Sequence, residues 1–199
     1  MSAHFILASA SPTRREILSA AGVPFEIKLP DVDEDRIKDE LLDTGAAAGA
    51  IATALAEQKA MDVSARAENI LVLGADQVLV CDGELFSKAK NLTEARESLK
   101  RFRGRRHELI SAMALVRDET TEWLHLESAE LWVRDFSEAF LDAYLEQEGA
   151  GILGSVGCYR IEGGGAQLFE KIIGDQFTIR GLPLFPLLGA LRARGIMAK

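Results

Sequence analysis

An α/β fold built on a mixed, largely antiparallel sheet with flanking helices is the class that this 199-residue sequence predicts. Three observations carry the prediction. Apolar runs of strand length alternate with segments of helical spacing along most of the chain. Two long strand-like runs, 109–116 and 122–134, follow one another with only a short polar turn around Asp118-Glu119 between them. Asp82-Gly83, directly after another apolar run, is a hairpin-type turn. Strands joined this closely pair antiparallel, which a doubly wound parallel sheet does not allow.

Taken in order, residues 4–8 are a short apolar run suited to a buried strand. It leads into Ser9-Ala10-Ser11-Pro12, where Ser11 is a good N-cap and Pro12 suits the first helical position. Ile17, Leu18 and Ala21 give that segment its helical face, and Gly22 stops it. A strand over 25–29 and an acidic loop over 31–35 follow. A helix of small residues spans 46–65, with Ile51, Leu55 and Ala56 on one face. The β-prone run 70–80 is the next strand. Asn91 and Glu94 resemble a capping box ahead of Leu92, Ala95, Leu99 and Phe102. After the two long strands come a helix over 137–146 and a stretch, 149–165, whose seven glycines predict loop with a short strand. Helical segments over 166–173 and 183–194 close the chain. No repeat, low-complexity tract or Pro/Ser-rich linker divides it, so one domain over 1–199 is expected.

Apolar residues at 48% and charged residues at 27% exclude disorder as the dominant state, because this mix buries enough surface to offset chain entropy. A formal charge of −8 is the wrong sign for a non-specific nucleic-acid binder. An acidic chain can still bind phosphates where its basic residues converge or a metal intervenes. Cys81 and Cys158 have no second Cys or His at ligand spacing and are read as reduced thiols. No run approaches the ~18 apolar residues of a membrane span. The start, MSAHFILAS, lacks the cationic region of a signal peptide, so a cytoplasmic protein is expected.

Three segments can carry chemistry. In Ser9-Ala10-Ser11-Pro12-Thr13-Arg14-Arg15, a helix start, hydroxyls and guanidinium groups converge as an anion site would require. A capped helix with two solvated arginines is the alternative. In the acidic loop, Asp33, Glu34 and Asp35 offer the oxygen ligands that Mg²⁺ prefers, against a merely solvated loop. In Gly74-Ala75-Asp76-Gln77, a lone carboxylate stands inside an apolar strand, which is costly without a partner or a metal. Lys59 and Lys88 read from composition as surface residues. Arg101, Arg103, Arg105 and Arg106, near His107, read as a solvated basic turn, and His125 reads as structural.

Together these stretches resemble the Maf family of nucleotide pyrophosphatases. The resemblance runs from Ile6-Leu7-Ala8-Ser9-Ala10-Ser11-Pro12-Thr13-Arg14-Arg15 to Arg180-Gly181-Leu182-Pro183-Leu184. Between lie Asp31-Val32-Asp33-Glu34, Leu55-Ala56-Glu57-Gln58-Lys59-Ala60 and Gly74-Ala75-Asp76-Gln77. Lys88 stands where the family has a Gly-Lys-Pro lysine, and the Gly104…His107 turn and Arg160-Ile161-Glu162-Gly163 complete the set. Single motifs are weak; their joint order is specific. The resemblance implies an elongated sheet, two lobes around a deep cleft, a homodimer, and hydrolysis of nucleoside triphosphates to monophosphate and pyrophosphate with Mg²⁺, Mn²⁺ or Co²⁺. It implies that Ser9, Arg14, Glu34, Lys59, Asp76, Lys88 and Glu162 line the site, with Thr13, Arg15 and Gln77 on the substrate. Arg14, Lys59 and Lys88 would neutralise the triphosphate, Glu34 and Asp76 would hold the metal, and Asp76 would also activate water.

Three positions are associated with base choice in the family. Here they are Thr13, Gln77 and Glu162, matching a 7-methyl-GTP branch at the last two and departing from its tryptophan at Thr13. A buried acceptor at Glu162 would favour a guanine N–H edge over a uracil carbonyl. Ser87-Lys88-Ala89 in place of Gly-Lys-Pro is a second departure. An alternative of another class is a non-enzymatic nucleotide- or partner-binding regulator of cell division, since Maf proteins are linked to septum formation. An inosine-triphosphate-type pyrophosphatase would share the reaction but not these motifs.

Overall fold

A computed structural model describes residues 5–198; the expectation for His4 lies outside them. Among the described residues, seven strands form one sheet in the order β2-β1-β3-β5-β6-β7, with β4 also paired to β3. β1 (Phe5–Ala8) runs parallel to both β2 (Glu26–Ile27) and β3 (Leu71–Cys81). β3 and β4 (Glu84–Phe86) form the expected hairpin, with Asp82 at φ 50° and Gly83 at φ 81° in the turn. β5 (Arg106–Arg117) and β6 (Thr120–Val133) turn back through Asp118 and Glu119, both also at positive φ. The sheet is mixed, as predicted. No helix among the described residues is long and apolar enough to cross a membrane.

The chain divides into two compact units that share the strands β3, β5 and β6. The first comprises the residues up to Gln77, Ser111–Glu127 and those from Gly181 on. It holds β1, β2, α1 (Pro12–Ala20), α2 (Glu34–Asp43), α3 (Ala48–Ser64) and α7 (Leu184–Ala193). Ser11 caps α1 by accepting from the Arg14 backbone N–H at 3.3 Å, with Pro12 at its first position. Phe5, Ile6, Leu7, Leu18, Ile51, Leu71 and Leu73 are fully buried. The acidic segment is not the expected loop. Asp33 accepts from the Arg36 N–H and starts α2, so Glu34 and Asp35 form a first helical turn, where negative charge is favoured.

The second unit comprises Val78–Ile110 and Ser128–Arg180. α4 (Leu92–Phe102) and α5 (Glu138–Glu148) start at Asn91 and Ser137 as read from the sequence, and α6 (Gln176–Ile179) is a short addition. Phe102, Leu131, Phe136, Leu141, Ile152 and Leu168 belong to its core. Two expectations fail here. The glycine-rich stretch has two 3₁₀ turns, Gly149–Gly154 and Gly164–Leu168, and no strand. The helix expected over 166–173 is instead β7 (Phe169–Ile173), antiparallel to the end of β6 with Glu130 opposite Ile173. An available sheet edge outweighs the helical spacing of Phe169 and Ile172, and Lys171 lies 4.5 Å over the Trp132 ring.

His107 is 1% exposed in this unit, its Nε2 2.7 Å from the Tyr159 hydroxyl and its Nδ1 without a hydrogen-bond partner. Burial pushes its pKa down from 6.5 to about 4. Between these values the unfolded chain binds the proton and the folded one does not, so stability rises with pH across that window. From pH 7.5 to pH 5 the wild type should lose about 2 kcal/mol through this group, and His107→Gln should lose that dependence. Urea midpoints at the two pH values make the measurement. Equal pH dependence in both proteins would remove His107 as its source.

Candidate active site

Parallel pairing brings the end of β1 beside the first half of β3, with Ala8 opposite Gly74, and β3 runs on past it to Cys81. β1 lies between β2 and β3, so the chain leaves it to opposite sides. In open α/β sheets the carboxyl ends at such a reversal are where ligands bind. Ser9 follows β1 at this end, and Asp76 lies two residues beyond Gly74.

Gly74 sets the depth of the cluster. A Cβ there would meet the Ala56 carbonyl oxygen at 1.9 Å and the Ala60 nitrogen at 2.8 Å. Only a glycine lets α3 lie this close to the strand. The approach delivers Lys59, on the next turn of α3, to Asp76. Lys59 Nζ donates to Asp76 Oδ1 at 2.7 Å and lies 2.8 Å from Glu34 Oε2 on the first turn of α2. The Lys59 and Asp76 side chains are 7% and 10% exposed, whereas Glu34 is about half exposed. Lys59 is therefore not the surface residue that composition suggests. Asp76 has the partner that a carboxylate inside Leu71–Cys81 requires.

Arg14 is buried beside this pair. Its Nε donates to the Gly181 carbonyl at 2.9 Å, and its Nη1 donates to the Ala75 carbonyl at 2.8 Å and Ser9 Oγ at 3.2 Å. Burial lowers its pKa, and the charges of Asp76 and Glu34 oppose that shift. Three of five guanidinium donors thus fix the Ser9 turn, β3 and the Gly181 segment to one another, and the two on Nη2 are not used in these bonds. Ser9 Oγ also accepts from the Ser11 backbone N–H at 3.2 Å. Gln77 Nε2 donates to the buried Ser111 hydroxyl at 2.9 Å. Thr13 is partly buried on α1, and Arg15 is exposed.

The first unit thus gathers Ser9, Arg14, Glu34, Lys59, Asp76 and Gln77 of the residues expected from the sequence. Lys88 and Glu162 belong to the second unit. Lys88 is exposed, and Glu162, 41% exposed rather than buried, lies 3.7 Å from Arg180 Nε. The basic turn of that unit is an ion-paired surface, with Arg101 on Glu84, Arg103 on Glu138, Arg105 on Asp82 and Arg106 on Glu130. Sequence reasoning gave no role to Ser111 or to the carbonyls of Ala75 and Gly181. Gly181, at φ +85°, carried a hint in the Arg-Gly-Leu-Pro segment; Ser111, one polar residue in a long strand, carried none.

Asp76 and Glu34 approach one nitrogen, so their nearest oxygens are no more than about 5.5 Å apart. They are hard donors in a partly open setting, which fits a Mg²⁺-type cation held by one or two carboxylates and completed by phosphates or water. No group of three or more His, Cys, Asp or Glu at metal-holding distance occurs among the described residues, so an all-protein cage is not formed.

Comparison with known proteins gives consistent relatives. A family model described as "Maf-like protein" matches residues 4–194. A nucleoside triphosphate pyrophosphatase of Granulibacter bethesdensis is 50% identical over 94% of this chain and 95% of its own length. One from Caulobacter vibrioides is also 50% identical, over 96% of each chain. A 7-methyl-GTP pyrophosphatase of Rhizobium meliloti is 45% identical, again over 96% of each.

Proposed function

The chain belongs to the Maf-like protein family, and from that premise we propose that it is a nucleoside triphosphate pyrophosphatase, one functional domain over its length. The observation that carries the reading is the buried Lys59–Asp76 pair beside Arg14, at the carboxyl end of β1 and midway along β3. A carboxylate and two cations concentrated there suit hydrolysis of a polyanion better than a passive binding surface, and the regulator-only reading has no comparable feature.

Water attacks and the α–β phosphoanhydride breaks, yielding nucleoside monophosphate and pyrophosphate. Asp76 orients the water and takes its proton. Arg14, through Nη2, and Lys59 neutralise the phosphates, and the Ser9 hydroxyl adds a polar contact. A divalent cation, Mg²⁺, Mn²⁺ or Co²⁺, would be held by Asp76 and Glu34 and supplies Lewis-acid charge when bound. Lys88 is assigned to the phosphates, and Thr13, Arg15, Gln77 and Glu162 to the nucleotide, on the family resemblance. The same resemblance supports a homodimer. Two buried, unbridged thiols, Cys81 and Cys158, agree with a cytoplasmic location.

Base choice is assigned to guanine or modified guanine, including 7-methyl-GTP, and the role to removal of non-standard nucleotides. Water reaches a half-exposed Glu162, so discrimination against a facing carbonyl falls at the low end, about tenfold in kcat/KM. The test is pyrophosphate release from 7-methyl-GTP, GTP, UTP and dTTP with each cation, on the wild type and Glu162→Gln. Monophosphate and pyrophosphate are the expected products, and the variant should narrow the gap between bases. Diphosphate and orthophosphate would overturn the reaction assigned. A preference for UTP or dTTP would overturn only the base.

A further inference from the structure

We propose that the Lys59 ammonium is the resident counter-ion of the Asp76–Glu34 carboxylate pair, and that a divalent cation binds this pair only by displacing it. The proposal rests on the reading that these two carboxylates hold the metal.

The geometry leaves little room for both cations. Nζ lies 2.7 Å from Asp76 Oδ1 and 2.8 Å from Glu34 Oε2, so one ammonium is in contact with both carboxylates. Mg²⁺ takes oxygens at about 2.0–2.1 Å, closer than Nζ approaches either carboxylate, so a cation held by this pair and the ammonium would compete for the same oxygens. An ammonium has three protons and no lone pair, so it cannot become a ligand; it can only repel. Lys59 enters from α3 with its side chain almost wholly covered, and short movements of Nζ are therefore the ones open to it.

Charge balance points the same way. Arg14 and Lys59 offset Asp76 and Glu34, so the cluster without nucleotide carries formal charges that sum to zero. A divalent cation arriving alone unbalances it by two units. A triphosphate arriving with it brings more negative charge than the metal brings positive, so the excess positive charge is offset, and the displaced ammonium then has phosphate oxygens to turn to. Lys59 thus links metal uptake to nucleotide: the metal binds weakly alone and strongly with substrate.

Binding of Mn²⁺ without nucleotide, followed by the electron paramagnetic resonance signal of the free ion, tests this independently of turnover. Lys59→Met, close in length and uncharged, should bind Mn²⁺ at least about tenfold more tightly than the wild type, since one unit charge a few ångströms away is removed. Lys59→Gln, which keeps a neutral donor for the carboxylates, is measured in parallel and serves if the methionine variant does not fold. Adding Asp76→Asn to either should abolish the gain. If Asp76→Asn abolishes Mn²⁺ binding but both Lys59 variants bind no more tightly than the wild type, displacement is wrong and the metal site stands. If Asp76→Asn and Glu34→Gln leave Mn²⁺ binding unchanged, the carboxylate site itself is wrong and the proposal falls with it.

Discussion

Asp76→Asn is expected to lower kcat by at least about 10²-fold while leaving the protein folded, the usual lower scale for a lost acid/base group. The substitution keeps the shape of the side chain and its place on β3. On the proposed mechanism it removes the acceptor for the water proton, and with it half of the carboxylate pair. Lys59 keeps Glu34 as an ion-pair partner, so the ammonium is not stranded. The effect should therefore appear in kcat, with the circular-dichroism spectrum and melting transition close to wild type. A folded Asp76→Asn protein with near-normal turnover would sink the mechanism assigned to the cluster.

Gly74→Ala is the complementary case, in which one methyl group acts through packing. Its Cβ would overlap the Ala56 carbonyl oxygen and press on Ala60, both on α3. Neither neighbour is a flexible side-chain end, so relief requires the helix to back away from the strand. Overpacking of this kind costs typically 1–3 kcal/mol and more where backbone must move, and about 3 kcal/mol or more is expected here. Withdrawal of α3 also pulls Lys59 from Asp76, so activity should fall together with the urea midpoint. An alanine variant as stable and active as the wild type would mean that α3 and β3 do not approach as described.

How far the sequence could carry this reading depends on the range of the interactions. Caps at Ser11 and Asn91, the helix start at Ser137 and the Asp82-Gly83 turn are settled within four residues, and all were legible. β7 was not, because its partner lies some forty residues earlier on β6 and the local spacing of Phe169 and Ile172 favours a helix. α2 was missed for a different reason. Its apolar spacing is short, Ile37 with Leu41 and Leu42, and the run of acids ahead of it reads as loop, although the cap at Asp33 carries the start. Within the site, Asp76 announced itself by standing in an apolar strand, whereas the burial of Lys59 depends on a helix crossing that no local pattern encodes. Glu162 was expected to be buried, and exposure on a glycine-rich turn is a tertiary outcome.

The Arg14–Gly181 hydrogen bond spans 167 residues of sequence. It has a consequence for the order in which the molecule comes into being. During synthesis, the N-terminal turn with Ser9, Ser11 and Arg14 emerges first, yet an acceptor for the buried Nε arrives only when nearly the whole chain exists. Until then a guanidinium that must be desolvated lacks one of its three carbonyl and hydroxyl contacts, and the loop that closes it is among the longest the chain can make. Nascent and C-terminally truncated chains therefore hold an open, hydrated arginine turn in place of the finished Arg14 cluster, which is among the last parts of the molecule to be completed.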